Sequence, residues 1–217
     1  MKAQPAPPET LTAIMRKARA CRLCRDAPSR LPALPHEPRP VFQLSVKARI
    51  LLAGQAPGAR VHASGMPFTD PSGDRLRGWL GVDEETFYDS DKLAIVPMGF
   101  CFPGYDAKGS DLPPRRECKQ TWHDRLFASR PGFDLTLVIG RYAHDYHMPE
   151  KKRENLTATI QAQSENLEQT RHAPTIVLPH PSWRNTAWLK RNPWFEANLL
   201  PIVQGRIAAA LENPSAA

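Results

Sequence analysis

The chain has 217 residues, a formal net charge of +7 and a sequence pI of about 9.5. This length suits one domain with a sizeable hydrophobic core. No apolar run reaches the roughly 18 residues that a membrane span requires, and the polar, proline-rich N-terminus lacks the apolar segment of an export signal. We therefore expect a cytoplasmic protein without a membrane partner. The excess of Lys and Arg favours a polyanionic partner such as nucleic acid.

The N-terminal part is predicted to contain little regular structure. Residues 1–9 are expected to be disordered, and residues 10–45 to form a helix followed by a proline-rich strap. Thr10 is a suitable N-cap for that helix, because its hydroxyl can accept a hydrogen bond from the first turn. Prolines recur through residues 26–40 and exclude regular structure there, so this segment is expected to be extended.

Short apolar runs that each stop at Gly or Pro are predicted to be β-strands. They occupy residues 49–53, 93–96, 135–139 and 175–178. Helices are predicted at residues 72–81 with Ser72 as the cap, 83–85 as a short turn, 114–126, 141–147, 150–170 and 193–211, the last kinked or broken at Pro201. Helices between short apolar strands are typical of a parallel sheet covered on both faces. We therefore predict a single α/β domain over residues 1–217 with a four-stranded parallel sheet.

Three of the predicted strands end in segments that carry chemical groups. These segments are GQAPG at residues 54–58, PMGFCFPG at residues 97–104 and HPSWRN at residues 180–185. The carboxyl ends of parallel strands lie at one edge of a sheet, where ligands bind in open α/β folds. Taken alone, GQAPG is equally compatible with a structural turn, because it is neither a dinucleotide fingerprint nor a phosphate loop with its lysine.

The four cysteines form two pairs, Cys21 with Cys24 and Cys101 with Cys118. Four thiolates can hold zinc or an iron–sulfur cluster if the two pairs meet in space. The alternatives are disulfides, which a reducing compartment disfavours, and unrelated buried thiols, which the tight spacing of the first pair disfavours. Spacing alone does not decide between zinc and iron.

In their order along the chain, the three segments resemble the active-site motifs of the uracil-DNA glycosylase superfamily. GQAPG resembles the first motif, MPFTD at residues 66–70 resembles the segment whose aromatic residue stacks on uracil, and HPSWRN resembles the second motif with its leading histidine. The cysteine layout is similar to that of the iron–sulfur branch first known from thermophiles. The resemblance implies a three-layer αβα sandwich that hydrolyses the N-glycosidic bond of deoxyuridine in single- or double-stranded DNA and leaves an abasic site. A monomer is expected.

The resemblance also implies roles for individual residues. His180 would donate a hydrogen bond to uracil O2, Gln55 would offer a backbone or amide contact, and Phe68 would stack on the base. The expected substrate-binding residues are Gly54, Ala56, Pro57, Gly58, Phe68, Met98 and Asn185. The expected DNA-binding residues are Arg60, Ser182, Trp183 and Arg184, with His62, Lys108, Lys190 and Arg191 near the same loops. Cys21, Cys24, Cys101 and Cys118 would bind a [4Fe-4S] cluster, with structural zinc as the alternative.

Trp183 has two interpretations. It either fills the space left by the extruded base or packs on Trp188 and Trp194 as part of a surface aromatic cluster.

The sequence departs from the superfamily pattern at two places. Ala56 stands where an aspartate usually activates water. Either the reaction runs without a general base at that position, or Asp70 or Asp74 replaces it; of these two we favour Asp70. Residues 97–99 stand where an asparagine usually reads the uracil edge, so that backbone groups or Asn185 would replace it. These departures leave two alternatives to a uracil glycosylase: a glycosylase for another deaminated base, and a non-catalytic, cluster-containing DNA-binding protein. A Rossmann-like nucleotide-binding protein is disfavoured, because GxGxxG is missing.

Overall fold

The sheet of the computed structural model agrees with the sequence prediction. The structure describes residues 9–151, 154–167 and 175–212. Its strands are β1 (Ile50–Ala53), β2 (Leu93–Ile95), β3 (Leu135–Ile139) and β4 (Thr175–Leu178). All pairings are parallel, in the order β2-β1-β3-β4. From β1 the chain passes to β2 on one side, and β3 then lies on the other side of β1. The strand order thus reverses between β1 and β3, and open α/β sheets bind ligands at such a switch point, beside the loops that follow these two strands.

Helices flank this sheet on both faces and complete a three-layer αβα sandwich. The α-helices are α1 (Leu11–Arg19), α2 (Leu23–Asp26), α3 (Ala59–Ser64), α4 (Pro71–Leu80), α5 (Glu84–Tyr88), α6 (Arg116–Cys118), α7 (Asp124–Ala128), α8 (Arg141–His147), α9 (Leu156–Asn166), α10 (Thr186–Arg191) and α11 (Leu200–Glu212). α4 packs against α11, α5 lies on β2, α8 on β3 and α9 on β4. Every residue of β1 and β2 is buried, which explains their uninterrupted apolar sequences.

The structure describes the N-terminal segment from Glu9 onward and therefore tests part of what was predicted for it. Thr10 caps α1 as expected, with its Oγ1 accepting from the Ala13 N–H at 3.3 Å. Of the segment predicted to be disordered, only Glu9 is described, and it pairs with Lys17 and Arg125. The rest of that prediction lies outside the described residues. Across the described ranges, no helix is long and apolar enough to cross a membrane.

The start of α4 differs from the prediction. Asp70, with an extended backbone, is the N-cap in place of Ser72, because Pro71 has the fixed φ that suits the first helical position. The Ser72 hydroxyl donates to Asp70 Oδ1 at 2.5 Å. Gly81 ends the helix in the left-handed conformation, as predicted.

The helices at 150–170 and at the C-terminus also differ in detail. α9 is shorter than predicted and is not simply solvated, since Thr159 and Ile160 are buried. Residues 152–153 and 168–170 lie outside the described part of the chain. At the C-terminus a π-helical turn, Phe195–Leu199, leads directly into α11. The predicted irregularity at Pro201 therefore takes the form of a widened turn before the proline, and the helix does not break there.

A glycine near the start of α4 allows this helix to meet the chain segment before it. A Cβ on Gly73 would lie 1.8 Å from the backbone oxygen of Phe68, whereas a Cβ on Gly78 of the same helix would meet nothing within 4 Å. We predict that Gly73→Ala lowers the free energy of unfolding by roughly 1–3 kcal/mol, the usual cost of overpacking. The matched control Gly78→Ala should raise it by about 0.5–1 kcal/mol, because alanine favours an exposed helix. Urea denaturation measures both, and equal stabilities of the two variants would contradict the close packing of Gly73.

Candidate active site

The loops after β1 and β2 are joined by backbone hydrogen bonds at the carboxyl edge of the sheet. The Met98 N–H donates to the Gly54 oxygen at 3.0 Å, and the Gly99 N–H donates to the Gln55 oxygen at 2.8 Å. Met98 itself is buried. Since Pro97 has no N–H, these bonds occupy the N–H groups of residues 97–99 that were candidates for reading a base edge.

His180 follows β4 and is held in a defined orientation. Its Nδ1 accepts a hydrogen bond from the Ser182 N–H at 3.2 Å, while its backbone oxygen accepts from Asn185 Nδ2 at 2.7 Å. From α4, Arg75 Nη1 donates to the Ser182 oxygen at 3.1 Å. Because Nδ1 is an acceptor, a neutral ring carries its proton on Nε2.

The environment of His180 favours this neutral form. Burial lowers the pKa of His180 below its ordinary value, and the negative charge of Asp70 opposes this shift only in part. At neutral pH the ring is therefore an uncharged imidazole whose Nε2–H is a hydrogen-bond donor.

Phe68 is the one described non-glycine residue with a left-handed backbone, at φ 55°. The Tyr88 hydroxyl donates to the oxygen of Pro67 at 3.0 Å and lies 3.4 Å from that of Phe68, which fixes the turn. The ring meets Phe87 edge-on, and its tip would lie 3.7 Å from a Cβ on Gly54. Strain of this kind persists where the surroundings determine it, and it concentrates at functional sites.

A cavity of about 250 Å³ lies beside His180. It is lined by Gln55, Gly140, Arg141, Leu156, Thr157, Ile160, Pro179, His180, Asn185 and Trp188. Of the predicted site residues, Gln55, His180 and Asn185 therefore come together. The other predicted substrate contacts are not part of this lining: Gly54, Ala56, Pro57, Gly58, Phe68 and Met98. The Gln55 amide extends across Gly140, since a Cβ there would lie 3.0 Å from Gln55 Nε2. The volume is below the roughly 300–1,000 Å³ of drug-sized sites, so it suits one heterocyclic base.

Ala56 leaves the first motif without an acid, and its surroundings are crowded. A Cβ on Gly99 would lie 3.4 Å from the Ala56 methyl carbon and 3.2 Å from Pro114. Of the substitutes predicted for the missing acid, Asp74 is exposed and pairs with Arg77 at 2.5 Å. Asp70 is close enough for its charge to act on His180.

Sequence reasoning missed Asp111, a second acidic residue near this site. Its Oδ2 lies 3.8 Å from the position of a Cβ on Gly58, at the end of the glycine loop. Partial desolvation raises the pKa of Asp111, the charge of Asp70 adds to this, and Arg184 opposes it. No local pattern marks Asp111, because only the folded chain brings its loop beside GQAPG.

Trp183 extends into solvent beside the site. Its side chain is 76% exposed, and it does not join Trp188 and Trp194, which pack on each other with centroids 5.9 Å apart. The Arg184 guanidinium lies 5.7 Å from the Trp183 ring centroid. Arg184 Nη1 also donates to Ser110 Oγ at 3.3 Å. The structure thus favours the exposed role of Trp183 over the packing role.

The other predicted DNA contacts differ in accessibility. Arg60, Lys108, Lys190 and Arg191 are exposed, and Ser182 is half-buried. His62 is half-buried against the rings of His36 and Phe102, so it is a weaker candidate than its position near the loop indicated.

The four cysteines are free thiols that lie near one another, around α2, the β2 loop and α6. The thiols of Cys24 and Cys118 are hydrogen-bonded, which lowers the pKa of Cys24. Cys101 packs with Cys24 and lies within electrostatic reach of Cys21, and burial raises the pKa of Cys101 to about 12. Across residues 9–151, 154–167 and 175–212, no three His, Cys, Asp or Glu side chains are spaced to hold a single metal ion.

The strap is fixed over these thiols by a buried ion pair. Arg115 and Glu117 lie 3.1 Å apart on either side of the start of α6. Arg115 donates to the backbone oxygens of Arg30 and Pro32, each at 2.9 Å, and Glu117 accepts from the Ser29 N–H at 2.9 Å. The extended strap therefore gains its hydrogen bonds from α6, which also carries Cys118.

Comparison with known protein families matches residues 41–204 to the model described as the uracil DNA glycosylase superfamily. The match includes all four strands, GQAPG and HPSWRN, and it begins after the first cysteine pair. It covers well over half of the chain. The chain therefore belongs to the uracil-DNA glycosylase superfamily, whose chemistry is the hydrolysis of the N-glycosyl bond of a base in DNA during repair.

Proposed function

We propose that the protein is a monofunctional glycosylase that releases uracil from single- or double-stranded DNA and leaves an abasic site. The observation that carries the proposal is the orientation of His180, whose Nδ1 accepts from the Ser182 N–H and whose Nε2–H is left as a donor beside a base-sized cavity. A buried neutral donor of this kind suits a leaving group that becomes an anion.

Access to the glycosidic bond requires the nucleotide to leave the helix. Flipping costs roughly a few kcal/mol in lost pairing and stacking, and the protein must replace those contacts. Phe68, whose ring lies by Gly54 and not in the cavity lining, offers an aromatic face beside the glycine loop. The exposed Trp183 ring is available to enter the space left in the duplex. Arg184, which lies beside the Trp183 ring, and Arg60 in α3 are exposed cations that suit the DNA phosphates.

The chemistry at the base is electrostatic. As the glycosidic bond breaks, the electron pair moves onto uracil, and negative charge builds on O2. The His180 Nε2–H donates a hydrogen bond to this oxygen, and the partly buried site strengthens that bond relative to water.

Selection of the base depends on few side-chain groups. Gln55 directs its amide into the cavity, and we propose that it reads the base edge there. Asn185 holds the backbone of His180, so its contribution is mainly to position that loop. Because the N–H groups after β2 are occupied, a related deaminated base such as hypoxanthine is the second candidate substrate.

We further propose that Cys21, Cys24, Cys101 and Cys118 bind a [4Fe-4S] cluster. In support, the four thiols converge, and backbone N–H groups of Arg39 and Phe100 point at the sulfurs of Cys101 and Cys118. When bound, the cluster would join the strap to α6 and supply cohesion, since glycosidic hydrolysis transfers no electrons.

Cleavage of oligonucleotides that each contain one uracil, hypoxanthine, xanthine or mismatched thymine tests the activity. The wild type should release uracil, and His180→Ala should slow release by roughly 10²–10³-fold, the usual effect of removing one such donor. Alkali-labile abasic sites measure the reaction. If no base is released while DNA binding persists, the protein is the non-catalytic binder instead.

Anaerobic purification tests the cluster separately. The protein should be brown, with a broad visible absorption band and about four irons per chain. Replacing Cys101 by Ala should remove the colour and lower the thermal midpoint. Colourless wild-type protein with one bound zinc would contradict the cluster and leave a structural zinc in its place.

A further inference from the structure

The proposed reaction lacks a group for its second half. Water must be oriented toward the anomeric carbon, and it must lose a proton when its oxygen bonds to that carbon. Ala56 supplies no acceptor at the superfamily's usual position. The missing carboxylate must therefore come from another part of the chain.

Asp111 lies where such a carboxylate is needed. Its Oδ2 approaches Gly58 at the end of the glycine loop. The preceding residue, Ser110, accepts a hydrogen bond from Arg184 of HPSWRN at 3.3 Å. Asp111 is therefore placed between the loop after β1 and the segment that carries His180. These are the two parts of the site that border the base.

Hydrogen bonds hold the backbone of the loop that carries Asp111. Tyr105 and Asp111 form an antiparallel bridge, and the Leu112 N–H donates to the Gly104 oxygen at 2.9 Å. Inside the loop, Asp106 Oδ1 accepts from the N–H groups of Lys108 and Ser110, each at 2.8 Å. A positioned base needs this kind of support, because small displacements of a catalytic group reduce the rate sharply.

The charges around Asp111 suit proton transfer. Asp70 repels a second negative charge, and Arg184 attracts it. Asp70 is held by the Ser72 hydroxyl at the N-terminus of α4. Partial desolvation raises the pKa of Asp111, which suits a group that accepts a proton.

We propose that Asp111 is the catalytic carboxylate that orients the attacking water and accepts its proton. This inference rests on the proposed glycosylase function. The C1′–N bond breaks, and its electron pair leaves with uracil beside His180. A lone pair of the water oxygen forms the new bond to C1′, and the released proton moves to the Asp111 carboxylate.

Single-turnover excision of uracil by Asp111→Asn tests this role. The rate should fall roughly a hundredfold or more, the usual contribution of a general base. Binding to an oligonucleotide with a non-cleavable 2′-fluoro-deoxyuridine should stay equal or become tighter, since the variant removes a negative charge near DNA. Asp91→Asn is the matched control, because Asp91 is an exposed acid that precedes β2 at the opposite end of the sheet. It should excise at the wild-type rate.

A second variant separates chemistry from structure. Asp111→Ala leaves space beside Gly58, and added formate should restore part of its rate by acting as an external base. A purely structural role would not respond to formate. An excision rate of Asp111→Asn equal to that of the wild type would overturn this role and leave the proposed function intact. A wild-type protein that releases no base would overturn both.

Discussion

The hydrogen bonds that join the loops at the carboxyl edge of the sheet are the constraint on which the site depends. The β2 loop donates to the oxygens of Gly54 and Gln55, and Arg75 of α4 holds the oxygen of Ser182. These bonds fix the glycine loop against the β2 loop, and the loop that carries His180 against α4. Catalysis by positioned donors requires this order before the substrate arrives, because a mobile donor would have to be oriented during the reaction.

A buried histidine links this edge to the cysteines. His123 lies at the end of a π-helical turn, with Nδ1 3.1 Å from the Cys118 oxygen and Nε2 3.0 Å from the Pro97 oxygen. Both contacts are fully buried. Pro97, in the loop after β2, is thus connected through His123 to the helix that carries Cys118. A cluster bound at the cysteines would therefore stabilise the base site through packing and hydrogen bonds alone.

The sheet could be predicted from sequence because each strand is a short apolar run that ends at Gly or Pro. The chemical segments could be placed at one edge for the same reason, since parallel strands share their carboxyl edge. Other features depend on contacts between distant segments. The left-handed Phe68 requires the Tyr88 hydroxyl and the missing side chain of Gly73, and Asp111 reaches the glycine loop only through its folded hairpin. Local sequence patterns contain no signal for such contacts.

The proposed role of His180 depends on a neutral ring that carries its proton on Nε2. Nitrogen-15 NMR of histidine-labelled protein, recorded as a function of pH, measures this protonation state directly. We expect an Nε2–H tautomer at neutral pH and a midpoint for His180 below the ordinary histidine value of about 6.5, because burial disfavours the charged form. A ring protonated on Nδ1, or an imidazolium that persists above that value, would show that His180 is not this neutral donor.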